Sequence, residues 1–283
     1  MINKITIIGV GLIGGSLAKA IKENNLAKVV FGYGRDQARL EEAKKSNIID
    51  ELSTNIQEAV DNANIIVIAT PVGIFQNIFN EIKSLISDDV IITDVGSTKT
   101  NIVNIAQNAL GEKSSCFVPA HPIAGKERSG FEASDVNLFN GKKVIITPLE
   151  NSEPEKIKLI EDIWRSVGAE VDFMNPASHD ELLGMTSHLP HMLAFSLVNY
   201  LVDQNPTASI YAAGGFKDFS RIASGDPIMW RDICLQNQDQ IIRHLKGYQA
   251  TLDDLVNALD DENSEKLEAL FATAKKTRDS WVG

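Results

Sequence analysis

Only two cysteines, Cys116 and Cys234, occur in 283 residues, too few for a disulfide framework and without the pairing that a zinc site needs. Long apolar runs are missing as well. The nearest to one, residues 192–202, is interrupted by Ser, Asn and Tyr and falls far short of the ~20 residues that cross a bilayer. The N-terminus carries neither a basic region nor a small-residue cleavage site, so no signal peptide is expected and the expected address is cytoplasmic. There is no run of Lys or Arg, and 27 basic against 38 acidic residues leave a net charge of −11, which argues against a nucleic-acid arm or a polyanion-binding surface. Internal repeats and low-complexity tracts are absent too. Membrane, collagen-like, disordered and disulfide-scaffold classes are thereby excluded.

What remains is an ordinary globular composition, 43% apolar and 23% charged, in a chain long enough for about two domains. Short β-branched runs at 4–9, 28–33, 64–70, 90–94, 115–120, 142–148 and 169–174 alternate with amphipathic stretches such as 16–24, 36–46 and 75–86. Continuous apolar strands separated by helices predict a doubly wound parallel sheet, covered on both faces, over residues 1–175. Beyond Asn175-Pro176 the strand pattern stops. Helices are predicted over 188–203, 227–260 and 263–281, with Ser187 as an N-cap and Pro190 in the first turn, so residues 176–283 form an all-α domain. Ile241, Leu245, Tyr248, Leu252, Leu255 and Leu259 follow an a/d rhythm that suits either a core within one chain or an interface between two copies.

The first strand runs into Gly9-Val10-Gly11-Leu12-Ile13-Gly14 and then a helix. The first glycine permits the tight turn, the second admits a pyrophosphate, and the third lets helix and strand pack, while the helix N-terminus offers free N–H groups to the anion. A dinucleotide is therefore the expected cofactor. The second strand ends in Gly34-Arg35-Asp36. An acidic residue at this tip would accept from both ribose hydroxyls. Gly34 stands there instead, Arg35 suits a 2′-phosphate, and Asp36 could reach a ribose from one position late. NADP is thus expected over NAD, with NAD still usable. Arg35 also reads as a solvated surface residue.

Polar residues crowd two further strand ends, Val95-Gly96-Ser97-Thr98-Lys99 and the segment from His121 to Glu127. Ligands sit at the carboxyl ends of strands in open α/β sheets, and a histidine there can take the proton of a hydroxyl that loses hydride. In the helical half, His188 and His191 lie on one helical face. A metal held there with His179 or Asp180 is possible, but no H-E-x-x-H is present and no metal is expected. The stretch from Phe216 to Arg221 reads either as a solvated turn or as a carboxylate clamp with Arg221 as cation and Glu127 and Asp218 beside it. Trp230 reads most simply as core or interface.

The segments GVGLIGGSLA at 9–18, ATPV at 69–72, DVGSTK at 94–99, HPIAGKERSG at 121–130, SHLPHMLAF at 187–195 and GGFKDFSRIASGDPIMWRDI at 214–233 together resemble the prephenate/arogenate dehydrogenase family of tyrosine biosynthesis, in its monofunctional form. The resemblance implies a Rossmann-type domain followed by a helical substrate-binding and dimerisation domain, hence a homodimer. It implies oxidation and decarboxylation of prephenate or arogenate, with His121 as base and Ser97 hydrogen-bonding the hydroxyl or His121 to fix its tautomer. Arg221 would bind a substrate carboxylate, His191 the side chain, His188 and Trp230 would line the substrate site, and Thr70 and Pro71 would border the cofactor with Leu12 and Ile13. The ring is its own electron sink, so the chemistry requires no metal. Two other readings remain open. A 3-hydroxyacid dehydrogenase would need a lysine on the helix that opens at His188, which has none through Asp203. A dinucleotide sensor would need the glycine turn without His121 and Arg221.

Overall fold

The computed structural model describes residues 2–126 and 128–281, which cluster as two compact units, Met1–Gln238 and Asp239–Gly283. In the first unit, β1 (Ile2–Ile8), α1 (Leu12–Glu23), β2 (Ala27–Tyr33), α2 (Gln37–Lys45), β3 (Glu51–Ser53), α3 (Ile56–Val60), β4 (Ile65–Ile68), α4 (Phe75–Ile82), β5 (Ile91–Asp94), α5 (Thr100–Leu110) and β6 (Phe117–Val118) build a six-stranded sheet in the order β3-β2-β1-β4-β5-β6. Every pairing in it is parallel. This is the doubly wound Rossmann-type order, with its switch point between β1 and β4.

The strands are apolar on both sides because both sides are covered. Ile65 and Val67 enter one buried cluster with Ile5, Ile7 and Trp164. Ile66 and Ile68 enter the other with Ile8, Phe75 and Phe79. That alternation is the two-residue period of a strand. On α4 the buried residues Phe75, Ile78, Phe79 and Ile82 follow the helical period instead.

A single sheet was expected through residue 175, and here the chain departs from expectation. The run at 115–120 divides at Pro119 into β6 and β7 (Ala120–Pro122). With one residue between them, β7 has no crossover by which to join the sheet as a parallel neighbour. It pairs antiparallel with β8 (Lys143–Ile146), which pairs parallel with β9 (Glu170–Phe173) across α6 (Pro154–Ser166). His121 therefore sits on a strand, opposite Ile145, rather than in a loop after one.

The helical part also differs in detail. Ser187 is not an N-cap. Helix α7 (Pro176–Leu183) continues through a π turn, Gly184–His188, directly into α8 (Leu189–Gln204). Pro190 has no N–H for the preceding turn and its ring crowds that turn's carbonyl, so a widened turn just before it relieves the conflict. Then come α9 (Gly214–Ser220) and α10 (Pro227–Gln236), capped by Asp226, whose side chain accepts from the Met229 amide. The helix expected over 227–260 is two helices, broken at Asn237.

The second unit contains most of α11 (Gln238–Asp260) and all of α12 (Ser264–Asp279). Of the heptad seam, Ile241 is buried, whereas Tyr248, Leu252 and Leu259 are 36%, 43% and 57% exposed. No helix among the described residues is long and apolar enough to cross a membrane.

Candidate functional site

The glycine turn after β1 is shaped by what its glycines lack. Gly9 has φ +99°, and a Cβ there would lie 2.7 Å from the Ala69 carbonyl oxygen. A Cβ on Gly14 would lie 2.3 Å from the Gly9 carbonyl oxygen. Gly11 is the opposite case: its missing Cβ faces open space, with nothing within 4 Å. Gly11 also caps α1 without any side-chain hydrogen bond, so the cap itself leaves the first-turn amides open. Across the turn, after β4, Thr70 buries a hydroxyl that has no hydrogen-bond partner, next to the exposed Pro71. An open backbone cradle, an uncapped helix N-terminus and an orphaned hydroxyl fit a dinucleotide diphosphate.

At the tip of β2, Arg35 is exposed. Asp36 is the N-cap of α2, its Oδ1 accepting from the Arg39 amide at 3.1 Å. That role accounts for its place one residue beyond the strand tip.

Beside the turn lies a cavity of about 480 Å³, lined from the sheet side by Leu12, Ile13, Ser97 and His121 and from the helical side by His188, His191, Arg221 and Trp230. A volume of this order suits a small ligand. A larger open groove of about 700 Å³ lies by Lys19, Lys126 and Arg128. There the Lys19 ammonium already donates to the Ser134 carbonyl, and Lys126 pairs with Asp135. The smaller cavity is the one that gathers Ser97, His121, His188, His191, Arg221 and Trp230.

His121 is 9% exposed, and its Nδ1 lies 2.9 Å from Nε2 of His179, leaving Nε2 for a ligand. Burial, then the neighbouring His179, Lys99 and His188, hold its pKa well below 6.5, so it is neutral at physiological pH. The tautomer partner of His121 is thus His179 rather than Ser97, which lines the cavity. His179 Nδ1 in turn lies 2.8 Å from Asp180 Oδ1.

A buried ion pair fixes the strand ends. Lys99 and Asp94 are both fully buried, 2.7 Å apart. Burial pushes the Asp94 carboxyl up and the Lys99 ammonium down, and each charge counters the shift of the other. Asp94 also accepts from the Gly96 amide at 2.8 Å and the Ala120 amide at 3.0 Å. The Lys99 ammonium also donates to the Gly96 carbonyl at 2.7 Å. Bonded this fully, the pair ties β5 to the start of β7 and so sets His121; removing one partner would leave a buried charge, typically ~3–5 kcal/mol.

His188 is 1% exposed and pushed down to about 4, chiefly by burial, with the Asp180 charge and the Ser97 backbone opposing. His191 stacks on Trp230, ring centroids 3.8 Å apart at 26°, and its Nδ1 donates to the Ser187 carbonyl at 2.9 Å. Burial lowers the pKa of His191, and the nearby Arg221 charge adds to that. Trp230 is wedged over Gly225, where a Cβ would meet its Nε1 at 2.3 Å.

Asp218, expected beside Arg221 in a clamp, is exposed on α9 and is not among the residues that line the cavity. Glu127 lies outside the described residues. No group of three or more His, Cys, Asp or Glu side chains could hold a metal among the described residues. His179, Asp180, Lys99 and Asn237 are parts of the site that received no catalytic role from the sequence. The signal for the first two was the Asn175-Pro176 pair, which caps and opens α7.

Two family models match the chain: prephenate dehydrogenase, nucleotide-binding domain, over residues 17–173 and prephenate dehydrogenase, dimerization domain, over 175–273. A prephenate dehydrogenase of Bacillus subtilis (strain 168) is 35% identical over 99% of this chain and 76% of its own length. A cyclohexadienyl dehydrogenase of Zymomonas mobilis is 32% identical over 97% of this chain and 94% of its own. The crystal structure of prephenate dehydrogenase from A. aeolicus in complex with hydroxyphenyl propionate and NAD+ superposes with a TM-score of 0.91 at 36% identity, covering 99% of this chain and 98% of that one.

Proposed function

The chain belongs to the prephenate dehydrogenase family, and from that premise we propose that its cavity performs the oxidative decarboxylation of prephenate, with arogenate as the alternative substrate, in the cytoplasmic synthesis of tyrosine. The observation that carries this reading is a neutral histidine, His121, with one ring nitrogen held from behind and the other left to a cavity that also contains a guanidinium, Arg221.

The turn of Gly9, Gly11, Leu12, Ile13 and Gly14, with Thr70 and Pro71 opposite, would hold a nicotinamide dinucleotide, which supplies a hydride acceptor when bound. His121 takes the proton of the ring hydroxyl at Nε2 as that carbon gives up hydride. Carbonyl character at the carbon draws electrons from the ring, and aromatisation releases the ring carboxylate as CO2. Ser97 orients the hydroxyl. Arg221 pairs with a substrate carboxylate, and His191, fixed by its stack on Trp230, reaches the side chain. Arg35, with no carboxylate at position 34 to repel a 2′-phosphate, favours NADP over NAD.

Residues 1–175 serve the dinucleotide and 176–283 the substrate and a second copy. The exposed Tyr248, Leu252 and Leu259 support that pairing. Light scattering at micromolar concentration should give twice the 31.0 kDa chain mass; a monomer would overturn the pairing.

The activity is tested by adding prephenate, then arogenate, to purified protein with NADP or NAD. Reduced nicotinamide and CO2 should appear together. No reduction with either substrate and either cofactor would sink the reading.

A further inference from the structure

Asp180 is buried, and both oxygens of its carboxylate face hydrogen-bond donors. Oδ1 accepts from the Lys99 amide at 2.8 Å and lies 2.8 Å from His179 Nδ1, and Oδ2 accepts from the Thr100 amide at 2.8 Å. These amides sit at the N-terminus of α5, which no side chain of its own caps. Burial alone would raise the Asp180 carboxyl, but the His179 hydrogen bond and the Thr100 amide hold it below the usual carboxylate value, so it is ionised.

An ionised carboxylate only accepts, so His179 Nδ1 carries a hydrogen. Neutral His179 then has a bare Nε2, which accepts from His121 Nδ1. His121 is left with a bare Nε2, the form a general base requires. Backbone amides cannot reverse their role as donors, so the direction of the whole chain is set at its far end.

Asn237 imposes the opposite order on His188. Its Nδ2 donates to the Asp180 carbonyl at 2.8 Å, which fixes the amide orientation, and also reaches His188 Nδ1 at 3.1 Å. His188 Nδ1 therefore accepts, and its hydrogen is on Nε2.

We infer that His179 and Asp180 are positioning residues that lock His121 in the tautomer bare at Nε2, while Asn237 locks His188 in the opposite one. The catalytic consequence rests on the reading of His121 as the base; the tautomers themselves do not.

Imidazole 15N NMR of the whole protein, without substrate, reads the tautomers directly. At neutral pH His121 should show a protonated Nδ1 and a bare Nε2, and His188 the reverse. Replacing His179 by Leu should mix the two forms of His121. It should lower kcat by about 10- to 100-fold while KM changes little. His179→Gln, whose side-chain oxygen can accept from Nδ1, should recover much of that loss. A wild-type His121 protonated at Nε2 overturns the inference, whether or not the Leu variant folds. So does a folded Leu variant with unchanged spectrum and kcat. If the spectra hold and no dehydrogenase activity is found, the proposed function fails and the tautomer lock stands.

Discussion

At the end of the site proposed for the nucleotide the chain makes room by leaving side chains out, whereas at the end proposed for proton transfer it fills the space with hydrogen bonds. Gly11 faces open space, and Thr70 keeps an unpartnered hydroxyl. His121, by contrast, is backed by His179, and Asp180 by two amides. The difference follows from the two tasks. A diphosphate brings its own charge and acceptors, so the protein supplies donors and space. A general base must hold one protonation state before the substrate arrives, so its surroundings must be complete beforehand.

Substitutions can break each end separately, and the largest effect should come from the base. His121→Asn should lower kcat by ~10²–10⁴-fold with little change in KM. A variant that keeps more than about a tenth of wild-type kcat would move the role to His188 or His191. In the wild type, kcat/KM should hold level as pH falls to 6.5 and decline only in more acid solution. A base with a depressed pKa stays unprotonated, and active, until the pH falls through that lowered value. Arg221→Ala should come next, raising KM for prephenate by ~10–150-fold through loss of a contact worth ~1.5–3 kcal/mol. An unchanged KM would return Arg221 to a surface role.

The nucleotide end should answer more mildly. Gly11→Ala should weaken cofactor binding by roughly tenfold or more without lowering Tm, since its Cβ meets nothing in the protein. Gly14→Ala should lower Tm, because its Cβ would collide with the Gly9 carbonyl. Equal Tm losses in both would erase the distinction between a turn that admits a ligand and one that only packs. Smallest of all, Arg35→Ala should reduce the NADP-to-NAD ratio of kcat/KM by a few-fold to about tenfold, as suits an exposed charge. If wild type prefers NAD, or the ratio does not move, Arg35 does not read the 2′-phosphate.

The same contrast decides what could be read from the sequence. The glycine turn is contiguous, and its neighbours along the chain are its neighbours in space, so its strand, turn and helix were all legible. The helical half and the candidate histidines were legible as well. The support for His121 was not, because His179 lies 58 residues away and the Lys99–Asp180 contact spans 81. The second sheet escaped for a different reason: Pro119 lies inside one apolar run, and nothing in the periodicity says that the run changes sheets there. Asp36 was legible as polar, but only the helix start at Gln37 shows that it caps.

The π turn at Gly184–His188 has a consequence in rotation. At about 100° per residue, an unbroken α-helix from His179 to His188 would leave the two rings on opposite sides, about 180° apart. A turn that absorbs one extra residue brings that angle down to about 80°. The helix thus behaves as a phase shifter. It turns residues from either side of the bulge toward one wall, so that Asn237 can reach both the Asp180 carbonyl and His188. Deleting one residue within the bulge should rewind it to α geometry with the two rings still about 80° apart. Adding or removing a residue between the bulge and His191 would swing that ring by about 100° off Trp230 while the helix itself survived.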